Sequence, residues 1–446
     1  MSVSVVILAA GAGTRMKSLT PKVLHKICGK EMLFYSVQEA LKISDDIHII
    51  LFHQYERIKE AIENYFKNSK ITFHIQNHLK YPGTGGALME GEDQKPISTK
   101  YDRTLILNGD MPLIKKDELL SLISCESAVV MSVFTLENPS GYGRVVIKDQ
   151  KVHSIIEEKD ATESIKSICV VNAGVYVFDK YILGNYLPKV NNNNAQKEYY
   201  LTDIISLCVQ DKIDIKPVFV NEENFMGVNS KSQLVYAESK MLEYLRNEAM
   251  NQGVIMHLPD TIYIEPEVVF EGECEIENGV HIKGKCKIIN SHIKAHTIIE
   301  ESNLKDSDIG PMAHIRPGCE ISNTHIGNFV ELKACNLNGV KAGHLSYLGD
   351  CNIDEGSNIG AGVITCNYDG KKKHKTIIGK NVFIGSDTQL IAPINIGSNV
   401  LIGSGTTVTK DVNEGDLVIS RVKQENKPGG FYRFFQPPKE IQKKND

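Results

Sequence analysis

Three stretches of this 446-residue chain gather side chains that could do chemistry. The first is Leu8-Ala9-Ala10-Gly11-Ala12-Gly13-Thr14-Arg15-Met16, directly after an apolar run. Small residues there let backbone N–H groups approach phosphate oxygens closely. Arg15 and Lys22 add positive charge at about the reach of a triphosphate. The glycines match neither G-x-G-x-x-G nor a P-loop, so on spacing alone a glycine-rich turn with no phosphate role fits equally well. The second stretch is Asn108-Gly109-Asp110, just past the apolar Thr104–Leu107. Asp110 there would present a carboxylate in the loop after a strand, and reads equally as a turn residue leading to Pro112. The third is a set of segments rich in polar groups: Ile315-Arg316-Pro317-Gly318, Asn328 to Lys333, Lys341 to Asp350 around His344, and Asn358 to Gly370. An imidazole suits proton transfer near neutral pH, although one His among fourteen is more often a surface or capping residue.

The elements that must position these groups fall into two kinds. From Val3 to about Val228 short apolar runs alternate with helical patterns. Strands are expected at Val3–Ala9, Ile47–Phe52, Ile71–Ile75, Thr104–Leu107, Val129–Phe134, Val175–Phe178 and Ile215–Val220. Helices are expected at Met32–Ile43, Tyr55–Phe66, Lys116–Ile123 and Leu201–Gln210. Such alternation predicts a mostly parallel sheet covered on both faces, with ligands held in the loops after the strands. Asn229 to Asn251 reads as one helix ended by Gly253, the natural linker between two domains. Asn229 itself fits a helix N-cap.

Beyond that helix the period changes to six. Ile378, Ile384, Leu390, Ile396, Ile402 and Val408 form one unbroken register, preceded by Ile264 to Ile288 and by Ile309, Ile315 and Ile321. Six matches neither the 3.6 of a helix nor the 2 of a half-buried strand. It predicts a hexapeptide-repeat parallel β-helix, whose rungs bury their apolar face only by stacking. The count slips between Ile321 and Ile326 and between Leu332 and Leu337, and a segment interrupts it from Ile359 to Ile378. Slips and insertions in solenoids mark loops, often on the binding face, and the segments around His344 lie there.

A chain of this length implies two or more domains. The net charge of −5 gives no footprint for nucleic acid or an anionic membrane. No signal peptide and no transmembrane run are read, so a cytoplasmic protein is expected. The ten cysteines include no C-x-x-C pair and read as reduced thiols. Cys319, Cys335 and Cys351 recur every sixteen residues and should fall on similar rungs; a zinc site would want a fourth ligand at short spacing. The lysine-rich Lys371–Lys375 reads first as a solvated loop, and otherwise as a patch attracting phosphates. Arg421 to Asp446 is expected to be an ordered-to-loose tail.

The string L-A-A-G-x-G-T-R-M…P-K-V-L resembles the nucleotide-binding signature of sugar-1-phosphate nucleotidylyltransferases. Further matches follow in order: Gln76 before Gly83-Thr84, Asn108-Gly109-Asp110, Gly141-Tyr142-Gly143-Arg144, Glu157 to Asp160, Asn172-Ala173-Gly174, Asn192 to Tyr200 and Gly227-Val228-Asn229. With the β-helix behind them, residues 3 to 425 resemble the bacterial bifunctional N-acetylglucosamine-1-phosphate uridylyltransferase/glucosamine-1-phosphate N-acetyltransferase family. The resemblance implies an α/β Rossmann-like nucleotidylyltransferase domain over residues 1–228 and a linker helix over 229–252. A left-handed parallel β-helix N-acetyltransferase domain with a C-terminal tail would then occupy 253–446.

It also implies roles. Leu8, Ala9, Ala10 and Gly11 would hold uracil and ribose, with Gln76, Gly83 and Thr84 completing the base contacts. Arg15 and Lys22 would neutralise the triphosphate, Asp110 and Asn229 would ligate Mg²⁺, and Asn108 and Gly109 would line the UDP-sugar site. Gly143, Glu157 and Asn172 would contact the acetylated sugar. In the β-helix His344 would be the general base, oriented by Glu331. Arg316 and Lys333 would hold the sugar phosphate, with Tyr347, Asn358, Asn367 and Tyr368 around the sugar. Ala361, Asn367, Tyr368, Ser386, Ser404 and Arg421 would contact acetyl-CoA, and the β-helix would assemble a homotrimer. UTP and acetyl-CoA are the implied co-substrates. The family often has an aromatic where Asn108 stands and a His where Gly86 stands, and usually an Ala at the Ser404 position.

Two other readings remain open at this level. One is a single-activity sugar-1-phosphate nucleotidylyltransferase with a structural or regulatory β-helix. The other is a non-catalytic trimeric scaffold, which would have no use for Arg15, Lys22, Asp110 and Asn229 together.

Overall fold

A computed structural model describes residues 2–11, 13–156, 158, 161–194 and 196–435. It divides into two compact units, Met1–Asn247 and Glu248–Asp446. The helix read at Asn229–Asn251 spans Lys231–Asn251.

The first unit is built on one sheet, ordered Ile215–Phe219, Val129–Thr135, Val170–Asp179, Arg103–Asn108, Ser4–Leu8, Ile47–Leu51, Ile71–Ile75. Ser4–Leu8 lies parallel to both of its neighbours. Its side chains alternate between two apolar clusters: Val5 and Ile7 pack with Leu105 and Leu107 on one face, Val6 with Ile50 and Ile106 on the other. Burial on both faces is why the strands read as continuous apolar runs rather than alternating ones.

Two features depart from the expected sheet. Val170–Asp179 runs antiparallel to both Arg103–Asn108 and Val129–Thr135. A hairpin, Arg144–Lys148 with Lys151–Ile156, joins the sheet through Val170–Asp179 and was not anticipated. It is half exposed and carries charges, so it lacks the apolar run that marked the other strands. Pro217 is tolerated because Ile215–Phe219 is an edge strand, paired on one side only.

The second unit is the left-handed parallel β-helix. Its strands form three parallel sheets of ten, nine and eight strands, each coil adding one strand to each sheet. The hexad residues explain the arrangement. Ile378, Ile384 and Leu390 go to three different sheets in turn, and Ile396, Ile402 and Val408 repeat the cycle one coil on. All six are 0–3% exposed, forming a continuous apolar axis. Burying each such side chain contributes roughly 1.5–3 kcal/mol.

The slips in the count have a structural cause. The regular coil pairs Ile384 with Ile402, eighteen residues on, whereas the middle coils pair Ile326 with Ala342, only sixteen on. Shortened corners are turned by single residues in the left-handed region, such as Asn323 (φ 49°), Ala334 (φ 49°) and Asp350 (φ 51°). The interrupting segment lengthens one coil, so that Ile353 pairs with Ile378, and the surplus forms the loop around Asn367–Lys375. Cys319, Cys335 and Cys351 sit at equivalent places on successive coils, all buried, with 3.3 Å between the Sγ atoms of Cys335 and Cys351.

Candidate functional site

In the first unit the charged residues expected to do chemistry converge after the carboxyl ends of the central strands. Asp110 follows Arg103–Asn108, and the Gly109 N–H donates to Leu8 O at 2.9 Å, tying the two loops together. Lys22 Nζ forms an ion pair with the Asp110 carboxylate and donates to Asn229 Oδ1 at 3.0 Å. Arg15 Nη2 donates to the same Asn229 Oδ1 at 2.8 Å. Asn229 is fixed in turn by its Nδ2 bond to Gly227 O at 3.1 Å and by its N–H bond to Gln233 Oε1 at 2.9 Å.

Two adjoining clefts flank this cluster. One, about 410 Å³, is lined by Leu8, Ala9, Ala10 and Gly11 with Lys22, Gln76, Gly83, Thr84 and Asp110. Gln76 is 4% exposed and its Nε2 donates to Tyr81 O and Gly83 O at 2.8 and 3.1 Å. Only the NH₂ end of the amide can donate to carbonyls, so Oε1 is the end left for a ligand. The second cleft, about 470 Å³, contains Asn172 and Gly174 and shares Leu8, Thr84 and Asn108 with the first. Asn172 sits where the register of Val170–Asp179 shifts, and its Oδ1 accepts from Gly174 N at 2.9 Å. Such irregularities re-aim side chains beside binding sites. Gly143 is tied in through its carbonyl, which accepts from Asn172 N at 3.1 Å. Glu157, expected at the sugar, lies outside the described residues, as does Ala12 of the glycine-rich loop.

Several groups near these clefts were given no role from the sequence. Arg144 is 2% exposed and pairs with Glu158 at 2.6 Å, which holds the Glu158 carboxyl below its usual range. Phe52 and His78 line the first cleft as a stacked pair, with ring centroids 4.5 Å apart. Nothing in the sequence signals that pairing, because the two rings come from loops after different strands. Gly86, where the resembled family often has a His, faces backbone: a Cβ there would lie 2.2 Å from Tyr81 O.

The residues present fit Mg²⁺. The Asp110 carboxylate and Asn229 Oδ1 already converge on one cation, the Lys22 ammonium. Mg²⁺ favours hard oxygen ligands and usually takes its remaining positions from phosphates and water. No cluster of three or more His, Cys, Asp or Glu able to hold a metal occurs among the described residues, the cysteine column included.

In the second unit the irregular coils bring most of the expected groups onto neighbouring rungs. Arg316 Nη1 donates to Glu331 Oε1 at 2.8 Å. Glu331 stands in register with Tyr347 on the next coil, and Lys333 with Gly349. Lys373, from the inserted loop, lies against Lys333 and pushes its pKa down, while Asp350 acts in the opposite sense. Two ammonium groups held together in this way favour an anion between them. Asn367 Nδ2 donates to Asp350 Oδ2 at 2.6 Å and approaches Tyr347 Oη at 3.4 Å. A Cβ on Gly349 would lie 2.6 Å from each of those two polar atoms, so a side chain there would displace them.

His344 lies on a different sheet, in register with Asn328. Its side chain is exposed and its ring makes no hydrogen bond among the described residues. Glu331, expected to orient it, makes no hydrogen bond to that ring among the described residues, and its Oε1 accepts from Arg316 instead. Asn358 occupies the next rung of the same sheet, opposite Lys341. Tyr368 is exposed at the inserted loop, its hydroxyl donating to Gly370 O at 2.8 Å.

Ala361, Ser386 and Ser404 stack at one corner of three successive coils, following the register of Ile359, Ile384 and Ile402. Arg421 Nη1 donates to Ser404 O at 2.7 Å at the foot of that column. The coils can approach this closely only because Gly360 and Gly385 lack side chains: a Cβ on either would meet the next serine N at 2.6 or 2.5 Å. Among the described residues, no helix is long and apolar enough to cross a membrane.

The family model "Nucleotidyl transferase" matches residues 4–223, and "Bacterial transferase hexapeptide (six repeats)" matches residues 375–410. The chain is 58% identical over 439 residues to "Bifunctional protein GlmU" of Wolinella succinogenes, covering 98% of this chain and 100% of that protein. It is 60% identical over 452 residues to the protein of the same name from Helicobacter hepaticus, covering 99% and 100%. With the Aliarcobacter butzleri protein, again of that name, it shares 57% identity over 436 residues, covering 98% and 99%.

Proposed function

The chain belongs to the bifunctional GlmU family, and we propose that it makes UDP-N-acetylglucosamine in two consecutive reactions at two separate sites. The observation that carries this reading is the presence in one chain of both constellations: Arg15, Lys22, Asp110 and Asn229 in the α/β unit, and Arg316, Lys333 and His344 on irregular β-helix coils.

In the β-helix, glucosamine-1-phosphate is acetylated first. Its phosphate is held by Lys333 and Arg316, the latter steadied by the Glu331 carboxylate. Tyr347, Asn358, Asn367 and Tyr368 surround the sugar. His344, whose ring has no hydrogen-bond partner among the described residues, takes the proton from the 2-amino group as that nitrogen attacks the thioester of acetyl-CoA. Ala361, Ser386, Ser404 and Arg421 give the coenzyme an extended corner along the coils. A homotrimer through the β-helix would place this corner between neighbouring subunits.

In the α/β unit a phosphate oxygen of N-acetylglucosamine-1-phosphate attacks the α-phosphorus of UTP, and pyrophosphate leaves. Little acid–base chemistry is needed, so the chain's contribution is alignment and charge. Arg15 and Lys22 neutralise the phosphates. Gln76 presents Oε1 to the N3–H of uracil, and Asn108, Gly109, Gly143 and Asn172 lie toward the sugar. Mg²⁺, held by Asp110 and Asn229, supplies positive charge against the phosphate oxygens when bound. Both co-substrates are cytoplasmic metabolites, which supports a cytoplasmic location.

The test is incubation of the purified chain with glucosamine-1-phosphate, acetyl-CoA, UTP and Mg²⁺. Release of both coenzyme A thiol and pyrophosphate is expected. Pyrophosphate only from pre-acetylated sugar phosphate would leave a single-activity nucleotidylyltransferase, and neither product would leave a scaffold.

A further inference from the structure

The stacked pair Phe52 and His78 has no part in the chemistry described above, yet both rings line the cleft that contains Gln76 and Gly83. The two nitrogens of His78 differ. Among the described residues Nδ1 is buried with no hydrogen-bond partner, whereas Nε2 makes no bond and is not shut away. A buried N–H left without an acceptor is rarer than a bare acceptor, so the neutral imidazole carries its proton on Nε2. The ring is held by the stack on Phe52, with no hydrogen bond of its side chain to fix it.

The surrounding groups give that proton a purpose. Gln76 presents an acceptor, because its Nε2 is committed to Tyr81 O and Gly83 O. The Gly83 N–H donates to nothing among the described residues. Beside that acceptor the cleft therefore offers, among its donors, the Gly83 N–H and the His78 Nε2–H. The pairing edge of uracil is the complement: two carbonyls flanking one N–H. Cytosine presents a bare ring nitrogen and an amino group along the same edge, and would set a lone pair against Gln76 Oε1 and a donor against a donor.

We propose that His78 is a base-reading residue of the uridylyl site, donating from Nε2 to one exocyclic carbonyl of uracil while Phe52 fixes its ring plane. The inference rests on the reading of this cleft as the UTP pocket. It makes recognition of the base three-pointed, with Gln76 at the centre and a donor on either side. Loss of one neutral hydrogen bond of this kind corresponds to about tenfold in affinity.

The experiment measures kcat/KM for uridylyl transfer from UTP, 2-thio-UTP and 4-thio-UTP, in which sulfur replaces one carbonyl oxygen at a time. In the unaltered protein the analogue altered at the carbonyl facing Gly83 should be poorer than UTP by about five- to tenfold, and so should the analogue altered at the carbonyl facing His78. His78→Phe, which keeps an aromatic ring to stack on Phe52, should lose about tenfold with UTP and show a penalty for the latter analogue within about twofold of unity. His78→Gln, which restores a donor, should recover part of the loss. Acetyl transfer by the same samples reports that each variant is folded. Thio-analogue penalties that are the same in the unaltered protein and in His78→Phe, or undiminished use of UTP by that variant, would overturn the inference. Failure of the unaltered protein to transfer from UTP at all would instead overturn the reading of the cleft.

Discussion

Replacing Gly327 by Ala should silence acetyl transfer while leaving uridylyl transfer untouched. Gly327 faces Gly343 on the next coil, between the register pairs Ile326 with Ala342 and Asn328 with His344. A Cβ at position 327 would lie 2.0 Å from Gly343 O, 2.6 Å from its carbonyl carbon and 2.8 Å from its Cα. All three are backbone atoms, so no side chain can swing aside. A carbon needs about 3.3 Å from a carbonyl oxygen, which means the coils must part locally by about 1.3 Å. Parallel strands about 4.8 Å apart cannot absorb that without weakening the rung's hydrogen bonds, and overpacking of this kind typically costs about 1–3 kcal/mol. The displaced residue is the one before His344. A reacting group moved by about 1 Å loses about 100-fold in rate. Thiol release from acetyl-CoA should therefore fall about 100-fold, while pyrophosphate release from UTP and N-acetylglucosamine-1-phosphate stays within twofold. A Cβ on Gly343 meets nothing within 4 Å, so Gly343→Ala should unfold at nearly the denaturant concentration of the unaltered protein. Acetyl transfer by Gly327→Ala at more than a third of the normal rate would refute the reasoning.

Three further outcomes are expected. Arg15→Ala removes a guanidinium from the Asn229 cluster and should slow uridylyl transfer by about two to three orders of magnitude, with acetyl transfer unchanged; equal loss of both would show that the sites are not separate. His344→Ala should abolish acetyl transfer and spare pyrophosphate release, and retained acetylation would remove His344 from the chemistry. Burial pushes the thiols of Cys208 and Cys286 up to about 11. In the unfolded chain these thiols ionise near their ordinary value of about 8.5, so between there and about 11 the native state binds the more protons and stability falls as pH rises. Denaturant midpoints taken at pH 8 and pH 10 should show that fall, diminished in Cys208→Ala; an equal fall in the variant would deny Cys208 a share.

The sequence made the β-helix legible because every rung repeats one requirement, an aliphatic side chain on the axis, and the six-residue count records it without reference to distant contacts. The sheet of the first unit was legible for a related reason, since Ser4–Leu8 and Arg103–Asn108 are buried on both faces and read as apolar runs. Strand direction is not written in such runs, and the reversal of Val170–Asp179 follows from chain topology rather than from its own residues. The hairpin beginning at Arg144 escaped because one face meets solvent. Among candidate site residues, those in strings such as Leu8–Gly11 or Arg316–Gly318 were picked out by local motif. Pairings across the fold were not. The engagement of Glu331 by Arg316 rather than by His344 depends on which sheet each residue occupies, and the single-residue corners that shorten the middle coils set that assignment.

The in-register stacking of the coils also dictates which lengths of chain can be gained or lost. Phe383 pairs with Leu401 and Ile384 with Ile402, so excision of residues 383–400 would join Val382 to Leu401 and return every later side chain to the sheet it had left. Val408 would take the place of Leu390, and Val412 that of Ile396. An excision one residue shorter would send each following aliphatic outward and each polar neighbour toward the axis. Descent within such a solenoid therefore proceeds by whole coils or by loops at the corners, as at residues 367–375. The fold tolerates changes in its number of turns far better than changes in its phase.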